Sequence, residues 1–346
     1  MMTSDQSLSE RQLRVLAAVI ETYIETAEPT GSRTVAARSR LGVSPATIRS
    51  TMNDLERKGY LFHPHTSAGR IPTDRAYRAY VDLLMRLSPP SMAEREALSQ
   101  ELPGTGGAVE EVLHRAAQVL GVLTQELGVG VAPALDEIVL ERLELVRVTS
   151  DRLLLVFNLE SGVIRTIFVQ IPGSIASEVV HQVAQVLNER LAGSTLKEIR
   201  QSLARRLRDA GHTPEGRELM NIFIAEREDI FDLSGGGEDI VLGSAQMLAD
   251  QPEFASNARM RELLELTERR DLLKDVLRDR RRAGLSITIG GENLDSRLSD
   301  FTLVTASYER GGLSGVIGVL GPTRMPYDKI IGLVEHTSRL IEGLLT

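Results

Sequence analysis

The stretch Gly42–Arg78, GVSPATIRSTMNDLERKGYLFHPHTSAGRIPTDRAYR, predicts a helix followed by a short hairpin. Ser44 is a favourable N-cap, and Pro45 suits the first helical position because the N–H that proline lacks has no helical partner there. We expect this helix to end near Lys58–Gly59, with a basic residue in the last turn. Its apolar face is formed by residues spaced at i, i+4 and i+7: Ile48, Met52 and Leu55.

The opposite face of this helix carries side chains that can form hydrogen bonds with base edges and phosphates. Upstream, a short helix at Ser32–Ser39 and a tight turn at Leu41–Val43 complete a helix–turn–helix pattern. A longer helix at Ser9–Thr26 can share their core. The exposed face should hold Thr47, Arg49, Ser50, Thr51 and Asn53. The predicted DNA-binding residues of the three helices are Arg33, Ser44, Thr47, Arg49, Ser50 and Asn53.

A wing is predicted downstream, because two short extended runs flank a turn of small residues. Two prolines within these runs favour edge strands over a central sheet. His65, Ser67 and Arg70 are the residues of the wing that we expect to contact DNA. Arg70 lies just after the turn, where it could touch a phosphate or enter the minor groove. A fourth helix, capped at Thr73–Asp74, should follow.

Alternatives without a role in DNA binding remain open from the sequence alone. Two helices with a proline at the first position also occur as ordinary core elements. His63 and His65 could hold a metal, but neither a cysteine nor a third ligand lies nearby, so no metal site is predicted.

The distribution of charge favours DNA binding by the first domain. The whole chain has 40 basic and 48 acidic residues, a net charge of -8. Residues 1–87 contain 12 basic and 9 acidic residues, so their net charge is +3, and the remainder carries -11. This asymmetry predicts a basic DNA-binding head on an acidic body.

Composition and missing motifs exclude several classes of protein. A hydrophobic content of 42% fits a soluble protein of two or three domains, and no apolar run approaches a membrane span. The polar N-terminus and the lack of cysteine favour a cytoplasmic location without disulfides. Gly290–Asn293 and the glycines after Leu313 lack the residues of a phosphate loop, and no hydrolase or metalloprotease motif occurs. We therefore predict no catalytic residues and no cofactor.

Beyond a linker at Ser88–Ser91, the pattern predicts a mixed domain with an insertion. Strands are expected at 138–148, 153–158, 163–169 and again at 285–289, 301–308 and 313–321, with helices at 108–127, 176–191 and 327–345. The segment 195–270 should be mainly helical. A charged helix is expected at Met260–Arg282, and the basic cluster near its end is most simply a solvated helical face, with a second nucleic-acid contact as the alternative. One α+β domain interrupted by an insertion accounts for this order.

Two blocks of sequence together resemble the heat-inducible transcription repressor HrcA family. The first block comprises Glu28-Pro-Thr-Gly-Ser32, Ser44-Pro-Ala-Thr-Ile-Arg49, Asp54-Leu-Glu56 and Pro64-His-Thr-Ser-Ala-Gly-Arg-Ile-Pro-Thr73. The second comprises Ile289-Gly-Gly-Glu-Asn293 and Gly318-Val-Leu-Gly-Pro-Thr-Arg-Met-Pro-Tyr327. The run Arg49–Asn53 departs from the family, where we expect more acidic or amide side chains, so operator preference could differ.

The resemblance implies an α+β, multidomain fold. Its parts would be a winged helix–turn–helix head (1–87), a linker with a connecting helix (88–107), a GAF-like α+β domain in two parts (108–194 and 271–346) and an inserted, mainly helical dimerisation domain (195–270). It implies a homodimer that binds an inverted-repeat operator in double-stranded DNA and represses chaperone operons, with the GroE chaperonin as the partner that keeps it active. The alternative is a winged-helix regulator that responds to a small molecule, which a thermal-shift screen of metabolites would distinguish.

Overall fold

Helices and sheets alternate in distinct layers, which confirms the α+β, multidomain class. The computed structural model describes residues 8–65, 68–102, 109–133, 138–162, 164–173, 175–209, 213–231, 240–281, 283–310 and 313–344. Within these ranges, no helix is both long and apolar enough to cross a membrane.

The N-terminal head has the predicted order of elements. Its helices and strands are α1 (Glu10–Thr26), α2 (Ser32–Arg38), α3 (Pro45–Arg57), β1 (Leu61–Phe62), β2 (Ile71–Pro72) and α4 (Asp74–Ala79), which continues as a π-helical turn at Tyr80–Leu84. Leu16, Ile20, Ile48 and Leu55 are fully buried between the first three helices. Because α2 has only 7 residues, it depends on this shared core for its stability.

Two helices connect the head to the rest of the chain: α5 (Met92–Glu101) and α6 (Val109–Thr124). The last residues of the linker predicted for 88–107 lie outside the described residues. The helix predicted for 108–127 ends earlier, because Leu127–Val131 forms a buried strand, β3, that the sequence did not predict.

A three-stranded antiparallel sheet and four helices form a separate layer. The elements are β4 (Leu140–Thr149), β5 (Arg152–Leu159), β6 (Ile164–Gln170), α7 (Ser177–Leu191), α8 (Leu196–Leu207), α9 (Pro214–Ala225) and α10 (Arg227–Phe231). One hydrophobic core, containing Leu155, Phe157, Leu187 and Phe223, holds them together. The helices cover one face of the sheet and leave the other face open.

The remaining elements are β7 (Ile240–Leu242), α11 (Gln246–Ala249), α12 (Asn257–Glu268), α13 (Arg270–Arg278), β8 (Leu285–Ile289), β9 (Phe301–Arg310), β10 (Leu313–Pro322) and α14 (Tyr327–Leu344). Their four strands and β3 form a five-stranded antiparallel sheet with the strand order β7-β3-β10-β9-β8. One face packs on α6 and α14, in a core that continues into the head. The other face is covered by α11, α12 and α13.

The insertion therefore has different limits from those predicted. Its core runs from Ile138 to Phe231, so β4–β6 belong to the insertion and not to the first part of the larger domain, 108–194. Conversely, β7, α11 and α12 lie within the predicted insertion, 195–270, yet pack with the five-stranded sheet. The segment 195–270 is mainly helical as expected, since its described residues form α8–α12 and one short strand, β7.

Candidate nucleic-acid interface

The start of α3 is fixed by a hydroxyl cap. The Thr47 backbone N–H donates to Ser44 Oγ at 3.2 Å, and the two hydroxyl oxygens lie 3.0 Å apart. Pro45 occupies the first helical position. Ser44 is exposed and Thr47 half-buried, so both can contact a phosphate near the helix N-terminus, where backbone N–H groups favour anions.

The outward face of α3 presents Arg49, Ser50 and Asn53, which are all exposed. The side chains of Arg49 and Ser50 have no hydrogen bond or ion pair with any residue that the structure describes. The expectation that Thr51 shares this face is wrong. Thr51 is 1% exposed and its hydroxyl donates to the Thr47 carbonyl at 3.1 Å, because its position falls on the apolar stripe of the helix.

Arg33 lies on α2 and is also exposed. It has no partner within the described ranges. Its guanidinium is therefore available to an external anion.

The wing consists of more chain than the sequence indicated. Leu61 pairs with Pro72 and Phe62 with Ile71 in an antiparallel hairpin. Thr30 then pairs with Arg70 through two backbone hydrogen bonds of 2.9 Å. A Cβ on Gly69 would lie 2.3 Å from the Pro29 carbonyl oxygen, so only glycine allows this approach. The motif Glu28–Ser32 thus supports the wing from the other side.

Arg70 does not extend from the wing into solvent. Its side chain is only 10% exposed. Its Nε donates to Glu56 Oε2 at 3.2 Å, and its Nη2 donates to Asn53 Oδ1. Arg70 therefore joins the wing to α3, and the structure does not place it for the expected phosphate or minor-groove contact.

Glu56 is the centre of this junction and was missed by the sequence reasoning. His63 Nδ1 lies 2.6 Å from Glu56 Oε1, opposite the contact with Arg70. Partial burial by itself raises the pKa of Glu56, but the hydrogen bonds and charges of His63 and Arg70 outweigh it and lower that pKa. Glu56 is thus a carboxylate that holds two cationic or donor groups of the wing against the helix.

The other wing residues are less defined. His65 is exposed, and Ser67 lies outside the described residues. In the described part of the chain, no three His, Cys, Asp or Glu side chains are grouped so that they could hold a metal. Two further cations, Lys58 and Arg75, lie near the end of α3. Lys58 Nζ donates to Gln12 Oε1 at 3.1 Å, and the Arg75 guanidinium lies 4.6 Å from the Tyr60 ring centroid.

The glycine-rich block near residue 290 is a docking site for the head. The Gly291 N–H donates to Asp74 Oδ2 at 2.9 Å. Arg78 donates to both carboxylate oxygens of Glu292, at 2.8 and 2.5 Å, and to the Ile287 carbonyl at 2.7 Å. Burial raises the pKa of Glu292, but the hydrogen bond from Arg78 and other contacts outweigh it and lower that pKa.

The second downstream block also contacts the head. Arg324 donates to the Ile24 carbonyl at 2.9 Å, at the end of α1, and forms a two-pronged ion pair with Glu253 at 2.5 and 2.9 Å. The rings of Tyr77 and Tyr327 lie 5.7 Å apart. Both blocks therefore fix the orientation of the head on the body.

Comparisons with known proteins agree with this architecture. A family profile described as "HrcA protein C terminal domain" matches residues 110–331. The "Heat-inducible transcription repressor HrcA" of Chlorobium phaeobacteroides (strain BS1) is 37% identical over 340 residues, 95% of this chain and 96% of that protein. Its counterpart in Desulforamulus reducens is 36% identical, over 98% of this chain and 97% of that protein. A crystal structure of a hypothetical protein has a TM-score of 0.68 at 23% identity, over 98% of this chain and 99% of that one, and shares the overall fold.

Proposed function

Since this chain belongs to the HrcA family of heat-inducible transcription repressors, we propose that it binds an inverted-repeat operator as a homodimer and represses chaperone operons. The observation that supports this most is the outward face of α3, where Arg49, Ser50 and Asn53 are exposed beside a wing. An α-helix fits the major groove, and these side chain types suit base edges and phosphates.

The distribution of charge also favours DNA binding by the head. The head carries a net charge of +3 and the rest of the chain -11, as 3 - 11 = -8. A basic head attracts the phosphate backbone, while an acidic body is repelled by it. DNA should therefore meet the molecule at α3 and the wing and not at the body.

A dimer is supported by the open face of the β4–β6 sheet. Val146, Val148, Ile164 and Phe168 are 45%, 52%, 63% and 55% exposed. Monomeric proteins rarely leave several large apolar side chains together on one open sheet face. A second copy could cover the patch in a two-fold interface, and two-fold symmetry matches an inverted repeat.

The regulatory partner is proposed from the family resemblance. That the GroE chaperonin keeps the repressor active rests on the family resemblance alone. Its scarcity during heat stress would then release transcription.

Binding-site selection from random DNA, with and without added chaperonin, tests the proposal. We expect an inverted repeat to be recovered with the full chain, at higher yield when chaperonin is present. Recovery of unrelated sequences or single half-sites would contradict operator binding by a dimer. Equal yields with and without chaperonin would contradict the regulatory part only.

A further inference from the structure

We infer that a chain of three side chains in the body, Arg280, Thr288 and Asn293, sets the orientation of the DNA-binding head. This relay ends in the docking loop Gly290–Asn293, which holds α4 of the head through hydrogen bonds and an ion pair. The three residues are therefore positioning residues for the head. The consequence for operator binding rests on the proposed function, because it requires two heads that read two half-sites.

Asn293 fixes the path of the docking loop. The residue is 9% exposed, and its Nδ2 donates to the carbonyls of Gly290, Leu298 and Phe301 at 2.9, 2.9 and 2.8 Å. Carbonyl oxygens only accept, so the amide nitrogen must face these three groups and the amide oxygen must point away from them. One buried side chain thus holds together the backbone on both sides of the loop.

Thr288 connects this amide to an arginine. Its Oγ1 donates to Asn293 Oδ1 at 2.6 Å and accepts from Arg280 Nη2 at 2.5 Å. A guanidinium has only donors, so the hydroxyl must accept from Arg280 and direct its single hydrogen at Asn293. Each hydrogen bond of the relay therefore has a fixed direction, from the arginine to the loop carbonyls.

Arg280 anchors the relay in the body. It follows α13, is 8% exposed, and also donates to the Leu303 carbonyl at 3.3 Å and to Thr305 Oγ1 at 3.4 Å. It has no ion pair with any described residue, and burial lowers its pKa to about 10, so it remains protonated at neutral pH. A buried cation whose partners are all neutral oxygens depends on each of them. Turning Thr288 away from Arg280 is therefore unfavourable.

The relay acts on the head through the residues next to it. Glu292, which binds Arg78 of α4, directly precedes Asn293 and also accepts from the Ile289 N–H at 2.9 Å. Without the relay, the loop would no longer direct Glu292 and the Gly291 N–H at α4. The head itself should stay folded, because none of the three relay residues lies within it.

Hydrogen exchange of the full chain tests whether the relay holds the head. Thr288→Val removes the shared hydroxyl and leaves Arg280 and Asn293 each without a partner, which should lower the protection of amides in 289–293 and α4 about tenfold or more relative to β10. Thr288→Ser keeps the hydroxyl and should stay within about threefold of the unchanged protein. Thr337→Val is the matched control, since it removes a buried hydroxyl that bonds only the Leu333 carbonyl within α14, at 2.9 Å. We expect this control to cause no selective loss in α4.

Operator binding separates positioning from general damage to the head. Dissociation constants are measured for the selected inverted repeat and for a single half-site. In Thr288→Val the affinity for the half-site should stay within about twofold, because α3 is unchanged, whereas the affinity for the full repeat should fall about fivefold or more. A head without a fixed orientation occupies the second half-site at a lower effective concentration. Arg280→Met leaves the Thr288–Asn293 hydrogen bond in place and should show a smaller loss of the same kind, which also provides the test if circular dichroism shows Thr288→Val to be unfolded.

Three results would overturn the inference. They are an equal loss of protection in α4 and β10, a loss in Thr337→Val that is as selective as that in Thr288→Val, and equal losses of affinity for the full repeat and the half-site. If the unchanged protein showed no preference for an inverted repeat, the proposed function would fail instead. The exchange experiment would still decide whether the relay holds the head.

Discussion

Replacing Gly290 by alanine should weaken the attachment of the DNA-binding head to the body. Gly290 has φ +54, and a Cβ at this position would lie 2.1 Å from Asp74 Oδ2 and 2.3 Å from Asp74 Cγ. Asp74 is the residue that receives the Gly291 N–H at 2.9 Å. The methyl group therefore displaces the carboxylate from its hydrogen bond.

Two terms set the size of the effect. A left-handed conformation costs a non-glycine residue about 1–2 kcal/mol. Loss of a hydrogen bond to a charged group costs about 1.5–3 kcal/mol. Their sum is about 2.5–5 kcal/mol, without the partly exposed pair of Arg78 and Glu292, which we leave out because solvent screens it.

The matched control is Gly291→Ala, at the next position. A Cβ there would lie 3.7 Å from Asp74 Oδ2, an ordinary van der Waals distance, and its backbone is not left-handed. We expect less than about 1 kcal/mol from this change, in the range of ordinary surface substitutions.

Hydrogen exchange of the full chain measures the attachment directly. Protection of the amides in 285–292 and α4 should fall about sixtyfold or more in Gly290→Ala, because about 1.4 kcal/mol corresponds to a factor of ten. Protection within threefold of that in Gly291→Ala would refute the reasoning that this glycine holds the head.

Four other substitutions have defined outcomes. Arg49→Ala should weaken operator binding by about 1–3 kcal/mol in a gel-shift titration but leave random DNA almost unaffected; equal losses would reduce Arg49 to a phosphate contact. Ile164→Asp, on the open sheet face, should convert the proposed dimer to a monomer in analytical ultracentrifugation, and a mass equal to that of the unchanged protein would remove this face from the proposed interface. Ser44→Ala should lower the stability of the head by about 1 kcal/mol through loss of the cap, as urea unfolding of the protein would detect. Burial raises the pKa of Glu126 well above 4.5, so the stability it contributes is complete below that pH and is lost as pH rises towards the raised pKa. As the pH rises above 4.5, the melting temperature of Glu126→Gln should therefore fall less steeply than that of the unchanged protein. Parallel plots of melting temperature against pH for the two proteins would contradict this.

The head could be predicted from sequence because its signals are local. Ser44, Pro45 and the i, i+4, i+7 spacing of α3 lie within one helix, and the structure reproduces each of them. Thr51 was misplaced because a threonine is polar, although its helical position is on the apolar stripe. The start and end of a helix depend on a few neighbouring residues, whereas the burial of a side chain depends on everything that packs around it.

The limits of the insertion could not be predicted, because they depend on pairing between distant segments. β3 is a five-residue strand with two glycines, directly after a helix, and every residue in it is buried. The strand shows no alternation of apolar and polar residues, and its partners in β10 and β7 lie more than 100 residues away. Locally, β4–β6 resemble any half-buried strands, so only their packing shows which core they join.

The candidate site likewise has a part that follows from local sequence and a part that depends on distant contacts. The exposed side chains of α3 follow from helical periodicity, but the contact of Arg70 with Asn53 and Glu56 depends on how the wing folds back. These residues are 17 and 14 positions from Arg70. The role of Glu292 at the head was equally inaccessible, since Arg78 lies 214 positions earlier in the chain.

The central claim is that two copies of α3, joined by one dimer, read the two halves of an inverted repeat. The most direct measurement compares the affinity of the full chain for the selected operator with that for the same operator whose half-sites are moved apart by about 5 bp, half a helical turn. We predict that the shifted operator is bound almost as weakly as random DNA, because the second head then faces the wrong side of the duplex. Equal affinity for the two operators would contradict the account.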